Sequence, residues 1–501
     1  MKCWIVAPML VAALAQVAFS DVVEHTAKQS APSGLHAGVA RADISPPVGI
    51  AHLNWGSQTH VEAIGIDPAG MWATALVISD GKQKFAIVDM DYHGITPDLE
   101  DAIRLASERT GIPTAHIRLN ATHTHAGPNF QAEKGPLKLD ARKYLPAIES
   151  FRRTVGEKVA GAIFEANLKL RPVHAAAVKG IGDVNVNRRV RATGKTPPAV
   201  GLNPEGFVDR ELVVLRIDDA EGNPYAVVVN FQAHGTVLTF ENKLVSPDWV
   251  GMVRKTVEQM MPGALCLYLQ GAAGNQGPAE GATGDLTVAH RLGRRLGSQA
   301  AALALTIETV RREPVFEGYT ESTALAARQP WRVLGPKPSD LRFARQVITV
   351  PRRTYTPEEL DRMQSQAAAA KKKMEEVSNA DDWSRHQADA QWRRFNDLLT
   401  KWRQPPDPTP LEVELQALRI GDMAIVAMPG EPFAEIGAAV KKSSPFAVTM
   451  FCGYSSGKGG GYMPVESEYA FGGYEVERSP YGTGAAKLVV DTGSALLQKL
   501  R

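Results

Sequence analysis

The chain has 501 residues, 44% hydrophobic and 22% charged, far from the polar, highly charged compositions that leave chains unfolded. Its 56 basic and 54 acidic side chains give a formal net charge of +2. That leaves no basic excess to neutralise many phosphates, which argues against nucleic acid as the main partner.

In chain order, Lys2 is followed by an apolar run from Trp4 to Phe19, and Ala18-Phe19-Ser20 offers small residues where a signal peptidase cuts. Residues 1–20 therefore read as a secretory signal peptide. The alternative, a membrane anchor, suffers from a run of about 16 residues where a spanning helix needs roughly 20. No other stretch is apolar enough to span, so the mature chain is expected to be secreted or periplasmic. Of the three cysteines, Cys3 leaves with the signal. Cys266 and Cys452 sit in apolar segments and suit either a disulfide or two buried thiols.

Beyond a polar stretch at 21–36, β-branched runs at 73–79, 85–91, 117–122, 212–217, 225–231, 265–270 and 423–428 read as strands. Residues 285–312 carry Val288, Leu292, Leu296, Leu303, Ile307 and Val310 on one helical face. Strands interleaved with helices predict an α/β fold with a layered, mixed-sheet core and flanking helices. Thr356-Pro357-Glu358-Glu359 opens a charged, Ala-rich segment like a capped helix start. Residues 355–403 are thus expected to form a helical hairpin inserted between core strands, either as a solvated insertion or shaping the mouth of a site. The remainder, 36–501, reads as a single domain.

Two of the 12 histidines fall in ATHTHAGP at 121–128. On extended backbone, residues two apart share a side, so His123 and His125 can address one site, and imidazole suits zinc. Alone, such a pair fits a surface or packed role equally well. However, His123 follows the strand at 117–122, His234 the strand at 225–231, and Glu431 the strand at 423–428. Ligands of layered α/β proteins gather at the carboxyl ends of strands, so three metal-ligand types in that position strengthen one another. Glycines crowd residues 451–481 around Tyr454, Tyr462, Tyr469 and Tyr474, which suits a binding loop or a surface loop packed by its own tyrosines. The loop GAAGNQGP at 271–278 lacks the Lys-Ser/Thr of a phosphate-binding loop.

In this order, the segments ARADISPPVG at 40–49, ATHTHAGP, Asn187-Arg188, QAHGT, SPDWVG at 246–251, PGEPF and GYMPVESEY resemble the neutral/alkaline, non-lysosomal ceramidase family. The similarity is to the catalytic N-terminal domain, without the immunoglobulin-like domain that usually follows it. The resemblance implies a zinc-dependent amide hydrolase that cleaves a ceramide-like lipid through a zinc-activated water. It implies His123, His234, Glu431 and Tyr462 as zinc ligands, His125 beside the metal, and Asn187 and Arg188 shaping the site. The implied partner is a lipid or other small molecule, with contact at a membrane surface left open. Two positions depart from the family pattern: Gly277 stands where the family has a serine, and Asn275 where it has an aspartate. That departure opens the alternative of the same zinc scaffold acting on a polar glycan, amide or ester.

Overall fold

The computed structural model describes residues 34–52, 60–128, 141–191, 198–320, 323–337, 339–377, 379, 383–402 and 409–501. The proposed signal peptide lies outside them. Two mixed sheets form the core. The larger runs Leu265–Gln270, Pro224–Phe231, Glu211–Asp219, Arg171–Ile181, His36–Asp43, Trp72–Ser79, Lys84–Met90, Ile117–Ala121 across its width. The smaller runs Leu341–Val350, Leu411–Ile420, Met423–Ala427, Val448–Cys452. All seven strands expected from the sequence are present, with ends within two residues of expectation.

The period-2 alternation of these strands builds four layers. Along Trp72–Ser79, Ala73, Ala75 and Val77 face helices Asp98–Thr110 and Leu145–Leu168. Leu76 and Ile78 point the other way, into the space between the sheets. There they share one core with Met423, Ile425 and Ala427 of the smaller sheet, while Ala424 and Val426 face helices Ala434–Lys442 and Ala485–Lys499. Helices Trp249–Met260 and Leu286–Thr306 cover the other half of the larger sheet. Strands buried on both faces must be apolar throughout, which is why these read as runs rather than as alternation. Each fully buried Leu or Val contributes about 1.5–3 kcal/mol.

The helix expected over 285–312 stops earlier, at Thr306. The Thr309 hydroxyl donates to Asp218 at 2.8 Å and ties the chain to the strand Glu211–Asp219. Val310 then opens the strand Val310–Pro314 in place of a last helical turn. The helical hairpin forms as Pro357–Glu376 and Trp383–Trp402, between the paired strands Leu341–Val350 and Leu411–Ile420. Thr356 and Glu359 make a reciprocal capping box at its start, and Met363, Ala367, Phe395 and Leu399 join its helices. Arg394 lies 4.9 Å above the Tyr474 ring and ion-pairs with Glu477, so the insertion props the short helix Tyr474–Arg478.

Cys266 and Cys452 are free and buried, and burial pushes both thiols up, Cys452 to about 12. Among the described residues, no helix is long and apolar enough to cross a membrane.

Candidate metal centre

Three parallel strand pairs aim their carboxyl ends at one place: Lys84–Met90 with Ile117–Ala121, Pro224–Phe231 with Leu265–Gln270, and Met423–Ala427 with Val448–Cys452. The turns beyond them carry the candidate residues. The two sheets are stitched there by Ala121 N–H donating to the Tyr454 carbonyl at 3.0 Å and Asn120 Nδ2 donating to the Gly453 carbonyl at 2.7 Å. His123 leaves its strand with φ of +63°, a left-handed conformation rare outside glycine, and its N–H is held by the Tyr92 carbonyl at 2.9 Å.

His123, His234 and Glu431 come together, with one donor atom from each lying within 4.8 Å of the others. His123 Nε2 is 3.3 Å and His234 Nε2 3.2 Å from Glu431 Oε2. Each imidazole is oriented from behind. His234 Nδ1 donates to the Ala273 and Gln276 carbonyls at 2.7 and 3.1 Å, and His123 Nδ1 to the His93 carbonyl. These bonds place the ring proton on Nδ1, so each Nε2 presents a lone pair to a carboxylate oxygen. Burial, with the Arg188 charge adding to it, pushes His234 down to about 3, so this ring is neutral at pH 7. A cation between them would satisfy all three facing groups at this distance. Donors held tetrahedrally at about 2.0–2.2 Å from one ion stand about 3.3–3.6 Å apart, close to the spacing found. The set fits a divalent ion that accepts imidazole nitrogen and carboxylate oxygen, and the carbonyls behind the rings supply the usual outer support.

Close backbone approach makes the site. Gly274 sits under Glu431 so tightly that a Cβ there would lie 2.4 Å from the Glu431 carbonyl oxygen. Gly430, at φ +80°, turns the chain so that a Cβ would meet the Gly461 carbonyl at 2.6 Å. Glu431 and Tyr462 are partners in the parallel pair Glu431–Pro432 and Tyr462–Met463. Tyr462 is buried, and its hydroxyl oxygen accepts from Arg188 Nη2 at 3.0 Å. Arg188 is anchored by Glu475 at 2.9 Å, and its neighbour Arg189 takes the other Glu475 oxygen at 2.6 Å.

His125 lies beside the cluster, its Nε2 3.2 Å from His123 Nε2, and burial holds its pKa well below the usual value. The structure separates Asn187 from Arg188. Successive strand residues face opposite sides, so Asn187 points away: Nδ2 donates to the Phe207 carbonyl at 3.0 Å and Oδ1 accepts from Arg189 N–H at 2.9 Å. Asn187 lines a second cavity of about 560 Å³ with Arg189, Arg191, Glu435 and Glu468. Gly277 faces the Arg188 side chain, where a Cβ would sit at an ordinary 3.4 Å. Asn275 is spent on packing, accepting from Ala434 N–H at 2.9 Å and donating to Glu435 at 2.8 Å.

Two residues of the site escaped sequence reasoning, and a third was read only as part of the glycine-rich loop. The His93 ring lies 4.6 Å from those of both His123 and His125, and Glu475 fixes Arg188; Tyr454, from the loop, packs on the His123 ring at 4.4 Å and reaches Glu431. His93 carried the signal used for His123, a position just past a strand end. A cleft of about 600 Å³ reaches the cluster. His93, His123, Glu431 and Tyr454 line it, with charged Glu100, Arg104, Arg345 and Glu414.

The layers and the His–His–Glu cluster define a layered α/β protein with a candidate metal centre at its strand ends. Residues 35–274 match the family model described as neutral/alkaline non-lysosomal ceramidase, N-terminal. The family resemblance read from the sequence thus holds across that segment. Neutral ceramidase B of Dictyostelium discoideum is 29% identical over 150 residues, 30% of this chain and 20% of that protein. Neutral ceramidase of Pseudomonas aeruginosa is 26% identical over 250 residues, 48% of this chain and 36% of that protein. The matches therefore span a fifth to about a third of these relatives' lengths. A solved ceramidase complexed with C2 superposes with TM-score 0.63 at 19% identity, covering 94% of this chain and 75% of that one. The crystal structure of neutral ceramidase from Pseudomonas aeruginosa gives TM-score 0.59 at 21% identity, covering 93% and 75%. The fold of this chain is that of the solved ceramidases.

Proposed function

We propose that the chain is a secreted or periplasmic zinc-dependent amide hydrolase acting on a ceramide-like lipid, with residues 36–501 as one catalytic domain. The observation that carries this reading is the pair of imidazole lone pairs facing Glu431, each ring fixed from behind by a backbone carbonyl. His123, His234 and Glu431 would hold the ion, with Tyr462 as a fourth ligand. A zinc ion there would supply Lewis-acid polarisation of the scissile carbonyl and a nucleophilic water near neutral pH.

The remaining work falls to the chain. Arg188 keeps its positive charge despite burial, because Tyr462, Glu475 and Glu431 surround it, and it is fixed at one edge of the cluster. A preorganised guanidinium there can stabilise negative charge developing on the substrate oxygen. His125 stands within hydrogen-bonding distance of His123, and in this reading it contacts the substrate or transition state and exchanges a proton with the leaving amine. Asn187 acts one step removed, holding the Phe207 and Arg189 backbone and thereby the strand that presents Arg188.

A second reading, a polar amide, ester or glycan on the same scaffold, is favoured by one observation. The cleft carries Glu100, Arg104, Arg345 and Glu414 along with apolar Ile95, Ile103 and Ile117. Assay of zinc-loaded and chelated protein on ceramide beside amide, ester and glycan panels decides between them. Zinc-dependent release of fatty acid from ceramide supports the lipid reading, and turnover confined to a polar substrate replaces it.

A further inference from the structure

Four histidines crowd the centre, the two of the cluster with His93 and His125 beside them. The cluster of His123, His234 and Glu431 shares His123 with a second group, His93, His123 and His125, whose donor atoms also lie within 4.8 Å of one another. Ring centroids are 4.6 Å apart for His93–His123, 4.6 Å for His93–His125 and 4.8 Å for His123–His125. The group is prebuilt rather than gathered by loose loops. His123 N–H is held by the Tyr92 carbonyl at 2.9 Å, next to His93, and His125 N–H by the Gly235 carbonyl at 3.1 Å. His93 and His123 also line the cleft, so an ion in solution has access to them.

His123 cannot serve both groups at once. Its Nδ1 is engaged by the His93 carbonyl, which leaves Nε2 with one lone pair. With an ion already on His123, His234 and Glu431, any second ion keeps only His93 and His125, and water completes its shell. Two imidazoles without a carboxylate select an ion of the zinc, nickel or copper kind over magnesium or calcium.

We propose that His93 and His125 form a second, weaker site for an imidazole-preferring divalent cation beside the first. One consequence rests on the functional reading above. An ion there engages His125, the residue assigned to the substrate, so zinc in excess of one equivalent should slow turnover.

The test counts metal and needs no substrate. Demetallated full-length protein is titrated with zinc, and bound ion per chain is measured by equilibrium dialysis with elemental analysis. His93→Gln and His93→Ala are run alongside, with circular dichroism to show that both fold. The expected result is two steps in the unmodified protein, one tight and one weaker. Either His93 variant should keep the tight step and weaken the other at least by the roughly 10–100-fold that loss of an outer-shell partner costs a metal site. A single ion per chain at millimolar zinc, or a second step untouched by both variants, overturns the proposal. If the His93-dependent step appears while the tight one does not, the second site stands and the hydrolase reading loses its metal.

Discussion

Glu431 and Tyr462 are register partners in a two-residue parallel ladder, so one small backbone unit delivers a carboxylate and a phenol to the same place. Glu431 Oε2 stands 3.2 Å from His234 Nε2, and the Tyr462 hydroxyl accepts from Arg188 at 3.0 Å. Tyr462→Phe separates the two roles. If the phenol is a fourth ligand, zinc affinity should fall by about 10-fold or more, since even loss of an outer-shell partner costs that much. Competition against a chromogenic chelator measures this, and unchanged affinity would reduce the ligand set to three.

His125→Ala should leave the tight zinc site occupied while lowering kcat by about two to four orders of magnitude, the range for a positioned proton-transfer group. Metal analysis and steady-state kinetics on one preparation read both. Loss of the tight zinc together with activity would make His125 a ligand of the first ion.

Gly274→Ala should damage the centre without touching any candidate ligand. The added methyl would overlap the Glu431 carbonyl, which must move because neither backbone segment is a flexible side chain. Destabilisation should be in the roughly 1–3 kcal/mol range of overpacked sites, with zinc affinity falling alongside. Chemical denaturation and zinc titration give the two numbers. A variant with unaltered zinc binding would show that the position of Glu431 is not set by this approach.

Gly277→Ser tests the departure from the family pattern. The new Cβ meets only the Arg188 side chain at ordinary contact distance, so stability should change by less than about 0.5–1 kcal/mol. An enzyme lacking one hydrogen-bond donor to ceramide should gain about a hundredfold in rate on that lipid. An enzyme specialised for a polar substrate should gain nothing on ceramide and lose part of its own activity.

Much of this was legible because it is local. Seven apolar runs marked strands, Thr356 and Glu359 marked a helix start, and a position just past a strand end marked His123, His234 and Glu431. What remained hidden depends on partners far along the chain. No local pattern says that Glu475 will hold Arg188, or that Tyr454 will pack on His123 after the sheets join at Asn120 and Ser455. The opposite facing of Asn187 and Arg188 was readable in principle from strand alternation, once the strand Asn185–Val190 is known to exist. Helix periodicity overreached at Ile307 and Val310 because a tertiary hydrogen bond from Thr309 claimed the chain.

The most direct test of the central claim is anomalous diffraction at the zinc edge from crystals of the protein loaded with one equivalent of zinc. The account predicts one strong peak with His123 Nε2, His234 Nε2 and a Glu431 oxygen all about 2.0–2.2 Å away. A principal peak on His93 and His125 with Glu431 unligated, or no peak among these residues, would contradict it.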